Sequence, residues 1–181
     1  MVTDTEILEA TIFVLAYKPE ATMEDIADRA GVTRITINRK FGGKQKLKEA
    51  AARHSLKIFG HIIRRAMSGK KPPMDKFFKI MREYYRVRHH YYFWMRTMID
   101  EEDQNRKAFL KQLDKVEQLV VKAQERGEVK ADLPSGWVAS FFDYIIITAA
   151  NTRYRGVVAE RDALQIAWHT FMYGVAPQKA F

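Results

Sequence analysis

The side chains best placed to do chemistry in this sequence are hydrogen-bond donors at helical spacing. From Gly31 to Lys48 the chain reads Gly-Val-Thr-Arg-Ile-Thr-Ile-Asn-Arg-Lys-Phe-Gly-Gly-Lys-Gln-Lys-Leu-Lys. Thr33, Arg34, Thr36, Asn38, Arg39 and Lys40 carry hydroxyl, amide, guanidinium and ammonium groups, which bond phosphate oxygens and base edges. Val32, Ile37 and Phe41 fall about every fourth residue, an apolar stripe that would turn the donors outward. Arg34 and Lys40 suit either a bidentate contact to guanine or a plain phosphate contact. Asn38 can pair with adenine or donate to phosphate. Ile35 either meets a thymine methyl or holds the helix off the groove. Thr22 would offer its hydroxyl and a helix N-terminus to phosphate, and Lys44 adds a cation behind. Arg39 serves either DNA or an ion pair inside the domain.

A second cluster is aromatic. Tyr84, Tyr85, Arg88, His89, Tyr92, Phe93, Met98, Trp137, Phe141 and Tyr144 either line an effector cavity, apolar with a few placed polar groups, or make an ordinary core with satisfied hydroxyls. A ligand for such a cavity would have a planar or acyl apolar body, and an anionic end is compatible with Arg88 and His89. On the last two long helical segments, Phe142, Ile145, Ile146, Ala149, Trp168, Phe171 and Met172 either meet a second copy of the chain or fill its own core. The run 145–150 is apolar almost all round, which favours a partner chain.

Other chemistry is poorly served. His89 and His90 are neighbours on a helix, so they point about 100° apart, and no metal site is expected of them. Asp100, Glu101, Glu102 and Asp103 read as a helix-start charge run. The chain has no cysteine, so disulfides and thiolate sites are excluded. Ser55, Ser68, Ser135 and Ser140 stand outside any Gly-x-Ser-x-Gly elbow, and no phosphate-binding glycine loop appears. No enzyme and no cofactor is expected.

These groups need elements to position them. Thr22 is placed to cap a short helix over 23–30, Gly31 supplies a left-handed turn, and Thr33 caps the donor-bearing helix. Two short helices joined through a glycine turn form a helix-turn-helix, whose second helix normally enters the DNA major groove. Ahead of them, 4–17 has a 3.6-residue apolar period and ends at Pro19. Behind Gly42-Gly43 a long helix runs from Lys44 to about Met67. After the break at Ser68–Pro73, helices are expected from Met74 to about His89, with a boundary near His89–His90. Further helices are expected over 104–126, from Ser135 to about 154 with Ser135 or Asp132 as cap, and over 160–173. The class is all-α with about nine helices, divided into 1–48 and 49–181.

Charge fits this division. The 181-residue chain has a formal net charge of +9, but residues 1–28 hold one lysine against seven acids. Residues 29–70 hold twelve Lys or Arg against Glu49 alone. A one-signed block on one subdomain is what a phosphate-facing surface needs. No run approaches the ~18–20 apolar residues of a membrane helix, and the N-terminus lacks the pattern of a signal peptide. A soluble cytoplasmic protein without a membrane partner is expected.

The order of these pieces resembles the tetracycline-repressor (TetR) family of transcriptional regulators. The resemblance rests on Ile-Leu-Glu-Ala at 7–10, Ala-Thr-Met-Glu-Asp-Ile-Ala-Asp-Arg-Ala-Gly-Val-Thr at 21–33, then Phe41, Lys44 and Leu47. Two positions depart from the pattern. Asn38 stands where the family usually has a Tyr that touches DNA backbone, and Ile35 where it has a Gly or small residue. The resemblance implies a three-helix DNA-binding domain, a C-terminal domain of about six helices and a homodimer built on the last two long helices. It also implies a double-stranded operator as partner, and a small effector that shifts the fourth helix and releases the DNA. The rival reading is a structural or partner-binding protein of the same fold without a small ligand. A cavity of several hundred Å³ among the aromatic residues would separate the two.

Overall fold

The computed structural model describes residues 2–97 and 104–177. Among them the chain is all-α: α1 Asp4–Tyr17, α2 Met23–Ala30, α3 Arg34–Phe41, α4 Lys44–Met67, α5 Pro73–Arg86, α6 Arg88–Thr97, α7 Gln104–Glu125, α8 Ser135–Tyr154 and α9 Glu160–Val175. Contacts gather it into two compact units, Met1–Ile58 with His89–Ala108, and Phe59–Arg88 with Phe109–Phe181. No helix of the described residues is long and apolar enough to cross a membrane.

In the first unit the helix ends are set by local chemistry. Thr3 and Glu6 close a capping box on α1, and Thr22 and Asp25 close one on α2, each satisfying two otherwise orphan N–H groups. Gly31 ends α2 at φ 66°, a left-handed conformation that any Cβ would strain. Thr33 Oγ1 then accepts from Thr36 N at 3.2 Å and starts α3. Ile7, Ile12, Leu15, Ile26, Ile37 and Leu47 are fully buried. The one buried hydroxyl of α1, Thr11, donates to Ile7 O at 2.7 Å.

The second unit is built on aromatic packing. Phe77 of α5, Phe142 of α8 and Phe171 of α9 meet with ring centroids 4.9, 5.2 and 5.7 Å apart. Gly174 lets α9 lie close to α8, because a Cβ there would come within 3.0 Å of the Phe141 ring. Gln124 donates to the Lys130 and Leu133 carbonyls at 2.9 and 2.7 Å and so ties down the turn before α8.

Two expected boundaries are corrected. The helix after Pro73 stops at Arg86, and Val87 leaves it at φ −99°, ψ 28° before α6 opens at Arg88. No Gly or Pro marks that break, so nothing local in the sequence announces it. Ser135 is the first helical residue of α8 rather than its cap, and its hydroxyl donates to Glu117 at 2.6 Å. The charge run 100–103 and Met98 lie outside the described residues.

Candidate nucleic-acid interface

Helix α3 is eight residues long and held by one buried side chain, Ile37. The opposite side of the helix is open. Ile35 is 78 % exposed, and Thr33, Arg34, Asn38, Arg39 and Lys40 are exposed with it. Thr36 is half-buried, and its hydroxyl lies 3.0 Å from that of Thr33. The donors are thus presented by the helix that follows the glycine turn.

Several of them already have partners inside the first unit. Arg34 Nη1 sits 2.8 Å from Glu24 Oε1 of α2, in a pair whose side chains are both more than half exposed. That Arg34 bond holds the Glu24 carboxyl below its ordinary range. Lys40 Nζ donates to Asp4 of α1, and Lys44 Nζ donates to the Ala21 carbonyl. Thr22 spends its hydroxyl on Asp25, at 2.7 Å. The Thr22 backbone N–H, with help from Lys18, holds Asp25 well below the usual carboxylate range. Among the described residues no ion pair involves Arg39. Exposed ion pairs of this kind contribute little to stability, so Arg34 and Lys40 can trade a carboxylate for a phosphate at small cost. The acidic partners Asp4 and Glu24 belong to the acid-rich segment 1–28, a signal that was present in the sequence.

The aromatic set is divided between the two units. Tyr84, Tyr85, Arg88, Trp137, Phe141 and Tyr144 belong to the second unit; His89, Tyr92 and Phe93 belong to the first. Arg88 is occupied, with Nη2 at 2.9 Å from Glu160 Oε1 and its guanidinium 5.1 Å from the Tyr85 ring centre. Trp137 and Tyr144 are 66 % and 60 % exposed, so they line no interior. One void in the second unit is lined by Ile63, Tyr84, Phe109, Gln112, Leu113, Val116, Phe142 and Asp143 and measures about 10 Å³, room for about one water; a larger concavity of about 480 Å³, lined by Phe78, Trp168 and polar neighbours, is open at the surface. The one carboxylate of the small void, Asp143, is pushed up to about 7 by burial, and burial also pushes the Tyr84 hydroxyl up. Sequence reasoning missed Asp143, because a lone acid in an apolar helix reads as a solvent-facing residue.

The interface set is also rearranged. Phe142, Ile146 and Phe171 are at most 1 % exposed, and Ile145 and Ala149 are buried too. Within the chain these side chains fill the core of the second unit and have no surface left to offer a second copy. Trp168 and Met172 are half-buried. Among the described residues, the exposed large apolar side chains of α8 and α9 are Trp137, Tyr144, Ile166 and Tyr173.

Residues 7–51, which span α1 to the start of α4, match the family model described as bacterial regulatory proteins, tetR family. Over that segment the chain is similar to the TetR family. That similarity supports DNA-binding transcriptional regulation. It is 18 % identical over 179 residues to the HTH-type transcriptional regulator NfxB of Pseudomonas aeruginosa, covering 96 % of this chain and 94 % of that protein. Two solved TetR-like structures share the fold. One is LfrR of Mycobacterium smegmatis in complex with proflavine, at TM-score 0.75 and 22 % identity over 99 % of this chain and 100 % of that one. The other is SCO0520 of Streptomyces coelicolor, at TM-score 0.67 and 19 % identity over 98 % and 100 %.

Proposed function

We propose that this protein is a cytoplasmic, homodimeric repressor of the TetR family that reads a two-fold operator through α3 and lets go of it when a small ligand binds. Residues 1–48 then serve as the reading domain and residues 49–181 as the effector and dimer domain. The observation that carries the reading is the outward side of α3. Ile35, Asn38 and Arg39 stand exposed with Ile37 buried behind them, the arrangement a recognition helix needs to enter the major groove. Thr33 and Thr36 lie at the helix start, and Arg34, Lys40 and Lys44 supply charge for flanking phosphates.

The dimer surface in this reading is the exposed side of α8 and α9, with Trp137, Tyr144, Ile166 and Tyr173 as its apolar contacts. Large aromatic side chains left on a surface are characteristic of an interface. Trp137 and Tyr144 therefore move from the ligand set to the dimer set.

The effector in this reading enters beside Asp143 and Tyr84. A buried carboxylate favours an apolar ligand with a positively charged or hydrogen-bond-donating end. An anionic end is disfavoured, since the Arg88 guanidinium is already paired. Ile63 of α4 lines the void, so a ligand that widened it would bear on the helix that follows the recognition helix. The proflavine complex of LfrR supports a planar aromatic cation as the first probe. A second reading, a regulator of the same fold without a small effector, is favoured by the size of the void, far below the ~300–1,000 Å³ of ordinary ligand pockets. The test is addition of proflavine to the protein–operator complex, followed by fluorescence anisotropy of labelled DNA. Release by wild type and its loss in Asp143→Asn support the first reading; no binding and no release support the second.

A further inference from the structure

One cluster in the first unit plays no part in the contacts above. Glu9 of α1 is met by three imidazoles. His54 Nε2 of α4 lies 2.7 Å from Glu9 Oε1. His90 Nε2 and His89 Nε2 of α6 lie 3.3 and 3.6 Å from Glu9 Oε2. The donor atoms of Glu9, His89 and His90 all fall within 4.8 Å of one another. The sequence argues against this convergence, because helix neighbours point about 100° apart. Both histidines stand in the first turn of α6, and their rings nevertheless lie 4.5 Å apart between centroids and both reach Glu9.

We infer that Glu9, His89 and His90 form a binding site for a divalent transition-metal ion of the zinc class, with His54 and Ser55 as its supporting shell. The donor set of imidazole nitrogen and carboxylate oxygen is the one zinc, nickel and cobalt accept. The distances fit as well. Tetrahedral bonds of ~2.0–2.1 Å place neighbouring donors ~3.3–3.4 Å apart, close to the separations from Glu9 Oε2 to the two imidazoles. Those separations are long for hydrogen bonds to a carboxylate, which run ~2.7–2.9 Å when charge-assisted. His54 differs: its short bond to the other carboxylate oxygen fixes Glu9 so that Oε2 faces the pair.

His90 has the outer partner that ligating histidines normally have. Its Nδ1 lies 3.1 Å from Ser55 Oγ. When Nδ1–H donates to that oxygen, Nε2 turns its lone pair toward Glu9 Oε2. In that tautomer two lone pairs face each other at 3.3 Å, an arrangement that a cation between them would relieve. The site is also reachable: Glu9 and His89 are part of the wall of an open surface concavity with Thr5, Glu6, Phe13 and Arg29. Glu6 is committed to the Thr3 cap and Arg29 lies over the Phe13 ring at 4.4 Å, so neither competes for the metal position. A bound ion would clamp α1, α4 and α6 within the unit that carries α3.

The test uses the full, untagged chain, freed of metal with chelator and titrated with zinc chloride against a chromophoric chelator. Cobalt(II) gives a visible absorption spectrum in parallel. One equivalent per chain, a tetrahedral cobalt spectrum and a zinc-dependent rise in melting temperature are expected. Glu9→Gln and His89→Ala remove at least tenfold in affinity, and His54→Gln weakens binding by ~10–100-fold as an outer-shell change does. His169→Ala, at an exposed histidine of α9, leaves binding unchanged. Sub-stoichiometric binding, an octahedral cobalt spectrum, or retention of wild-type affinity by both folded variants, Glu9→Gln and His89→Ala, overturns the site.

Discussion

The recognition helix and the α8–α9 pair use side chains in opposite ways. Helix α3 rests on one buried residue, Ile37, and leaves most of its other side chains exposed, with Arg34 and Lys40 in ion pairs to neighbouring helices. Helices α8 and α9 turn Phe142, Ile146 and Phe171 into a closed aromatic core and keep Trp137, Tyr144, Ile166 and Tyr173 outside. The first region holds its groups loosely, ready to exchange a carboxylate for a phosphate. The second has committed most of its apolar surface already, and only the exposed remainder can meet a partner.

The comparison breaks most readily at the aromatic core. Phe171→Ala should cost ~3–5 kcal/mol of folding stability, as deletion of a buried aromatic ring does, measured by urea unfolding. Tyr173→Ala, 84 % exposed in one chain, should leave that unfolding curve almost unchanged when the proteins are compared as monomers at low concentration. It should weaken the dimer in sedimentation velocity. Equal losses of folding stability for the two variants would erase the distinction between core and interface on α9.

Asp143 sharpens the contrast through pH. Its pKa is raised from 3.8 to about 7 by burial, so the folded chain keeps a proton that the unfolded chain releases. This contribution is full below about pH 4 and is lost as pH rises through 7, on the order of 4 kcal/mol in total by linkage. Wild-type stability should therefore fall between about pH 4 and 7 and level off above. Asp143→Asn should flatten that decline and exceed wild type at pH 8, as read from urea midpoints at each pH. An unchanged slope in the variant would mean the carboxyl is hydrated.

Smaller effects belong to α3. Thr33→Ala removes the cap and should cost ~1 kcal/mol. Glu24→Ala should leave the melting temperature as it is and free Arg34. Arg39→Ala should lower the slope of log affinity against log salt by about one counterion if Arg39 meets a phosphate, with anisotropy at several salt concentrations as the readout. A larger stability loss from Glu24→Ala than from Thr33→Ala would mean the exposed pair, and not the cap, holds the helix.

What the sequence disclosed follows the same line. Thr3, Thr22, Thr33, Gly31 and Pro19 act within a few residues of themselves, so α1, α2 and α3 are legible by local rules. The break at Val87 carries no Gly or Pro, and the convergence of Glu9 with His54, His89 and His90 joins three helices that are far apart in the chain. Helix α8 is apolar nearly all round, so periodicity cannot say which face turns inward; only the positions of α5 and α9 decide that Phe142 is core and Tyr144 is surface. The partner that Lys40 holds within the chain, Asp4, is not legible by local rules because it stands far away in the sequence.

The most direct test of the account is selection of duplexes from a random pool by the purified protein. The bound sequence is then titrated beside a scrambled duplex of the same length and salt. The account predicts a pseudo-palindrome bound at least ~10³-fold more tightly than the scramble, with the preference reduced at defined positions in Asn38→Ala. Equal affinity for the two duplexes, or a preference untouched by changes on the outer side of α3, would contradict it.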